Sequence, residues 1–133
     1  MTGLSSPPDI WVPNAWHSGA PYSPGRRDGD LLFVSGAVPI DPDGGATVGT
    51  TIQEQTDRVL RNIQLVVRQA GGELSDVVKT TVYLTGSELA AGMNEVYATF
   101  FTKPHPARAT ITVGPLARPE FLVEIEAIAR IAP

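Results

Sequence analysis

Between Thr51 and Leu84 the chain changes its hydrophobic period, and that change limits the folds open to it. Thr51-Ile52-Gln53-Glu54 has the form of a capping box, after which Ile52, Thr56, Val59, Ile63, Val66 and Ala70 recur at helical spacing. Gly71-Gly72 closes the segment as a left-handed cap does. Residues 76–84, DVVKTTVYL, then set Val78, Thr80, Val82 and Leu84 against Lys79, Thr81 and Tyr83, the alternation of a strand with one face on a core.

The flanking segments extend this pattern. Residues 31–40, LLFVSGAVPI, are strand-like, and Asp41-Pro42-Asp43-Gly44-Gly45 predicts a hairpin or bulged turn into a short second segment. A second helix carries Leu89, Met93, Val96 or Tyr97, and Phe100 on one stripe, and Pro104 and Pro106 end it. Two strands follow at 108–113 and 121–130, separated by Gly114-Pro115 and Arg118-Pro119. The expected order is strand, strand, helix, strand, helix, strand, strand, an α+β fold whose mixed sheet has both helices on one face. With 133 residues there is room for one core, so residues 1–133 are read as one domain. Residues 1–18 form an N-terminal arm that Trp11, Val12 and Trp16 dock on the body. The other sheet face is left open, and a closed oligomer is the usual way to cover it.

Composition removes several classes of function. A net charge of −4 with scattered basic residues argues against nucleic acid, whose phosphates need clustered Lys and Arg. No apolar run approaches the roughly 20 residues of a membrane helix, and Met1 to Pro8 lacks the pattern of a secretory leader, so no membrane partner and a cytoplasmic location are expected. Without cysteine there is no disulfide, thiolate ligand or thiol nucleophile, and His17 and His105 lack the companions of a zinc motif. Neither a metal nor a cofactor is expected, since no nucleotide or cofactor motif is present.

Alternation also places polar groups on the last two strands. Arg108, Thr110 and Thr112 share one face and Ala109, Ile111 and Val113 the other, which is assigned to the helices. Val123, Ile125, Ala127 and Ala129 are assigned to the core, leaving Glu124, Glu126 and Ile128 opposite. If these strands pair in one sheet, Arg108, Thr110 and Glu124 fall together on the open face. An arginine there offers a planar fork for a carboxylate, and a nearby glutamate can hold water or a proton. The alternative is that Arg108 and Glu124 neutralise one another in an oligomer interface. Because glutamates at i and i+2 repel, one of Glu124 and Glu126 is expected to have its own basic partner such as Lys79 or Arg130.

The strings GAPYSPG (19–25), LLFVSGAVPID (31–41), DVVKTTVYLT (76–85), MNEVYATFF (93–101), PARATITV (106–113) and VEIEAIA (123–129) resemble, in order and spacing, the signatures of the RidA/YjgF family. The resemblance runs from about Gly19 to Arg130. It implies a chorismate-mutase-like fold, a homotrimer with pockets between subunits, and hydrolysis of 2-imino or 2-amino-2-enoic acids to 2-oxo acids and ammonia. It places Arg108 on the residue that grips the substrate carboxylate and Glu124 on the one that holds or activates water. Tyr22, Ser35, Gly36 and Asn94 fall on positions that line or shape the pocket, and Thr110 falls where many relatives carry cysteine. Threonine there is expected to be compatible with activity, since its hydroxyl can still hydrogen-bond water or a leaving amine.

Each of these positions also has a plain structural reading. Tyr22 can anchor a loop between Pro21 and Ser23-Pro24, Ser35-Gly36 can be a strand bulge, Asn94 a helix-surface amide, and His105 an exposed loop residue. Two other functions stay open at this point. One is a family deaminase dedicated to a pathway-specific amino-enoic acid such as aminoacrylate or aminomuconate, and the other a non-catalytic trimer that binds a small carboxylate as a sensor or scaffold.

Overall fold

The structure is a computed structural model that describes residues 8–11 and 19–132. Six strands form one sheet in the order β1-β2-β3-β6-β4-β5, where β1 is Asp9–Ile10, β2 Gly25–Asp28, β3 Leu31–Ala37, β4 Val77–Leu84, β5 Ala107–Thr112 and β6 Val123–Arg130. All neighbours are antiparallel except β4 and β5. Helices α1 (Ile52–Gln69) and α2 (Ala90–Phe100) pack against each other, and α1 lies across β3 and β6. The expected α+β architecture is what the chain adopts.

Local chemistry explains the element ends. Thr51 accepts from the Glu54 amide and the Glu54 carboxylate accepts from the Thr51 amide, so the predicted capping box starts α1. At the other end Gly71, at φ 90°, lets its amide reach the Arg68 carbonyl while the Gly72 amide reaches that of Val67, the bonding of a Schellman cap. The stripe between them buries Val59, Ile63 and Val66 against Leu32, Val34, Ile125 and Ala127 of the sheet. Each such side chain contributes about 1.5–3 kcal/mol from burial, before chain entropy is charged against it.

Three details differ from the sequence reading. The strand paired with the start of β3 precedes it: β2 joins β3 through Gly29-Asp30, with Gly29 at φ 59°, a hairpin that Asp28-Gly29 signals in the sequence. After the turn at 41–45 the second segment is a single bridge, Ile40 with Thr47, rather than a strand. In β4 the register shifts between Val77 and Lys79, so Val77 enters the core and Val78 is 49% exposed. At the chain start Ile10 is buried while Trp11 is largely exposed; Val12 and Trp16 lie outside the described residues. No described helix is long and apolar enough to cross a membrane.

Two buried amides tie the loops to α1. Gln55 donates to the carbonyls of Gly49 and Glu120 and accepts from the Leu122 amide, while Asn62 donates to the carbonyls of Val38 and Ile40. Gln55→Ala strands three backbone groups at once, whereas Thr51→Ala removes one exposed cap. The first is expected to cost about 2–4 kcal/mol and the second about 1 kcal/mol, read from urea midpoints at unchanged slope; equal costs contradict the assignment of Gln55 as the loop clamp.

Candidate functional site

The β3 ladder with β6 passes from Val34 paired with Ala127 to Ala37 paired with Ile125, so Ser35-Gly36 carries the extra residue of a bulge. The plain reading of this dipeptide as a strand bulge is what the chain adopts. The Ser35 hydroxyl donates to the Ser23 carbonyl at 2.6 Å and its amide to the Pro24 carbonyl at 2.9 Å, which fastens the Tyr22 segment to the sheet. At Gly36 a Cβ would overlap Glu124 Oε2 and lie 2.9 Å from Glu124 Cδ, so the missing side chain is the space the carboxylate occupies.

Glu124 projects from the face of β6 that the helices leave open. Burial, and then the charge of Glu126, push its carboxyl above the ordinary glutamate range, and no hydrogen bond from the described residues offsets them. Burial and the Glu124 charge likewise raise the Tyr22 phenol. Among the described residues no ion pair engages either glutamate, although Lys79 lines one hollow with Glu126. The Tyr83 hydroxyl donates to Glu126 instead, while Lys79 donates to Thr81 and Arg130 lies 3.8 Å from Asp30. Tyr83 stands opposite Glu124 in the ladder and reaches Glu126 on the diagonal. Tyr22, Ser35, Gly36 and Glu124 thus form one cluster, with Tyr83 and Glu126 beside it.

The expectation that Arg108 and Thr110 share the open face with Glu124 is overturned. β5 runs parallel to β4 with Arg108 beside Thr80, Thr110 beside Val82 and Thr112 beside Leu84. Those three β4 residues are buried on the helix side, and paired residues project to the same face. Glu124 pairs with Tyr83 and Glu126 with Thr81, on the opposite face. Ile111, expected under the helices, lies on the open face and is 43% exposed. The physical reason is that β5 is an edge strand with no fully covered side, so its apolar residues do not mark the core.

On the helix side the Arg108 guanidinium carbon sits 4.7 Å from the centroid of the Tyr97 ring. With Asn94, Ala98, His105 and Pro106 these two residues line an open hollow of about 300 Å³. Among the described residues no ion pair engages Arg108. Asn94 therefore belongs with Arg108, and Thr110 lies two residues further along the same face, so the seven candidate residues divide into two clusters on opposite sides of the sheet. Tyr97 and His105 went unrecognised as lining residues. The spacing from Asn94 to Tyr97 was the available signal, since residues three apart share a helix face. No group of three or more His, Asp or Glu suited to a metal ion occurs among the described residues.

A family model described as Endoribonuclease L-PSP matches residues 12–131. A RutC family protein of Pyrococcus horikoshii is 44% identical over 120 residues, covering 90% of this chain and 94% of its own. Reactive Intermediate Deaminase A, a chloroplast protein of Arabidopsis thaliana, is 37% identical over 109 residues, covering 82% of this chain and 58% of its own. Among solved structures, the YjgF gene product of E. coli superposes with a TM-score of 0.83 at 32% identity, covering 92% of this chain and 97% of its own. With a family model spanning nearly the whole chain, relatives alike in sequence and a solved relative that superposes over most of it, the chain belongs to the RidA/YjgF family.

Proposed function

We propose that the chain is a hydrolytic deaminase of 2-imino and 2-amino-2-enoic acids, with a site completed between neighbouring copies of a homotrimer. The observation that carries this reading is the Arg108 guanidinium, held at the sheet edge over an aromatic ring with no acidic partner among the described residues. Such a fork suits a small carboxylate. The printed name of the Arabidopsis relative, a reactive intermediate deaminase, points to the same chemistry. Because Arg108 and Glu124 lie on opposite faces, one copy cannot bring both to one substrate. An edge strand can present Arg108 to the open face of a neighbour, where Glu124 waits beside Tyr22 and the Ser35-Gly36 bulge. That face also exposes Phe33, Val78 and Ile111, apolar area that association covers.

In the reaction the substrate carboxylate binds Arg108, which fixes the imine carbon. Water held by Glu124 of the adjoining copy attacks that carbon as the carboxylate takes its proton. That proton passes to nitrogen to give the carbinolamine; its hydroxyl then yields its own proton to the Glu124 carboxylate, which hands it to the amine as the C–N bond breaks, so ammonia and a 2-oxo acid leave. These imines also hydrolyse unaided, so a modest acceleration by two groups is sufficient. The nuclease named in the family description is not adopted, since a net charge of −4 and scattered cations suit a phosphate backbone poorly.

Light scattering should give three times the 14.1 kDa chain mass; a mass near one chain removes the composite site. In an amino-acid oxidase reaction with semicarbazide trapping, the wild-type chain should speed loss of the imine. Arg108→Lys keeps charge without the fork and should raise KM and lower kcat/KM, while Glu124→Gln should lower kcat by about 10²-fold at little change in KM. Full activity in both variants removes Arg108 and Glu124 as the working pair, whereas a wild-type chain that does not speed imine loss favours the carboxylate-binding sensor. The pH profile offers an independent check. A general base works ionised, so activity falls as pH drops through the raised Glu124 value, and this limb should lie above the ordinary carboxylate range. Glu126→Gln removes the neighbouring charge and should move the limb to lower pH, whereas an unmoved limb excludes Glu124 as the titrating base.

A further inference from the structure

Arg108 is a long side chain on an exposed edge strand, a setting in which an arginine ordinarily samples many rotamers. Here one aromatic ring lies under it. Tyr97 is 6% exposed, and its hydroxyl is 2.7 Å from the Thr80 hydroxyl in the core. Thr80 is fully buried on β4 and is the ladder partner of Arg108 itself. The Phe101 ring packs against that of Tyr97, with centroids 4.7 Å apart. Three residues therefore close a triangle: Thr80 stands beside Arg108 in the sheet, grips Tyr97 by its hydroxyl, and Tyr97 carries the guanidinium on its ring.

We infer that Tyr97 is a positioning residue that presents the Arg108 fork to the substrate carboxylate, with Thr80 as its anchor. This rests on the reading of Arg108 as the carboxylate anchor. An aromatic face is suited to the task in a way an acidic side chain is not. It attracts the cation through the ring quadrupole and leaves the N–H edges free, whereas a carboxylate would occupy the very donors the substrate needs. It also preserves the uncompensated positive charge that draws an anion to the hollow. The seat is built into the core rather than the surface, so the fork is ordered before substrate arrives and less is lost on binding.

The test uses the full chain, with steady-state imine hydrolysis and calorimetric binding of 2-oxobutyrate as parallel readouts. Tyr97→Leu removes the ring and should raise KM and the 2-oxobutyrate Kd by about 10-fold with kcat within about twofold, the scale of a cation–π contact. Tyr97→Phe keeps the ring and loses the bond to Thr80, so it should hold KM within about threefold of wild type while its urea midpoint falls. A merely structural role gives the opposite pattern, with both variants losing kcat in proportion to lost stability at constant KM. In an Arg108→Lys background Tyr97→Leu should change KM little, because the ring acts through the guanidinium. Unchanged KM and Kd in Tyr97→Leu, or an equal rise in Tyr97→Phe, overturns the inference. If the leucine variant fails to assemble, Tyr97→Met, which also lacks a π face, is judged by the same criteria. A wild-type chain that neither hydrolyses imines nor binds 2-oxobutyrate overturns the functional reading and this inference with it. One that does both while Tyr97→Leu behaves as wild type overturns only the inference.

Discussion

The register of β6 between β3 and β4 is the constraint on which the rest of the structure depends. β6 is antiparallel to both neighbours, and its alternate residues Val123, Ile125, Ala127 and Ala129 are all buried beneath the helix layer. A slip of one residue would exchange every one of them with the opposite set and place Glu124 and Glu126 in an apolar core. Burial thus fixes the register, and the register in turn fixes where both carboxylates stand. The bulge at Ser35-Gly36 matters because it is read against this strand. One extra residue on β3 makes room for the Glu124 carboxyl and at the same point secures the Tyr22 segment.

Electrostatics at the two clusters differ in a way that suits their proposed roles. Glu124 is half-buried beside a second carboxylate, and both influences favour its protonated form. Glu126 is itself held by the Tyr83 hydroxyl, so the pair is kept in place without a cation between them. Arg108 stands in the reverse condition, a cation on an aromatic ring with no anion supplied from the described residues. The two clusters therefore carry opposite charge, and juxtaposing opposite charges favours a defined orientation when surfaces meet. Under the proposed function, Arg108 and Glu124, separated by the thickness of one sheet, meet at a substrate only when copies associate.

Most of the scaffold was legible in the chain. The Thr51/Glu54 capping box, the stripe from Ile52, the Gly71-Gly72 closure and the alternation in β6 and in β4 from Thr80 onward depend on contacts within a few residues or on a period, and the chain adopts each of them, while the bulge at Val77 takes Val78 out of the core. The faces of β6 were legible for the same reason, since a central strand with one covered side shows its core in its apolar residues. The hairpin at Gly29-Asp30 was written in Asp28-Gly29 as well, although the longer apolar run beside it dominated the reading.

The side of the sheet on which β5 shows Arg108 was fixed by packing alone. Alternation states which residues share a face, and it cannot state which face that is for an edge strand that buries neither. The parallel pairing with β4 settled it, placing Arg108 beside Thr80 and over Tyr97 rather than beside Glu124. The same holds for the Tyr83 bond to Glu126 and for the shelf formed by Thr80 and Tyr97, which join residues 43 and 17 positions apart. Contacts at such separations arise when packed layers fix strand register, and no local pattern in the chain encodes them.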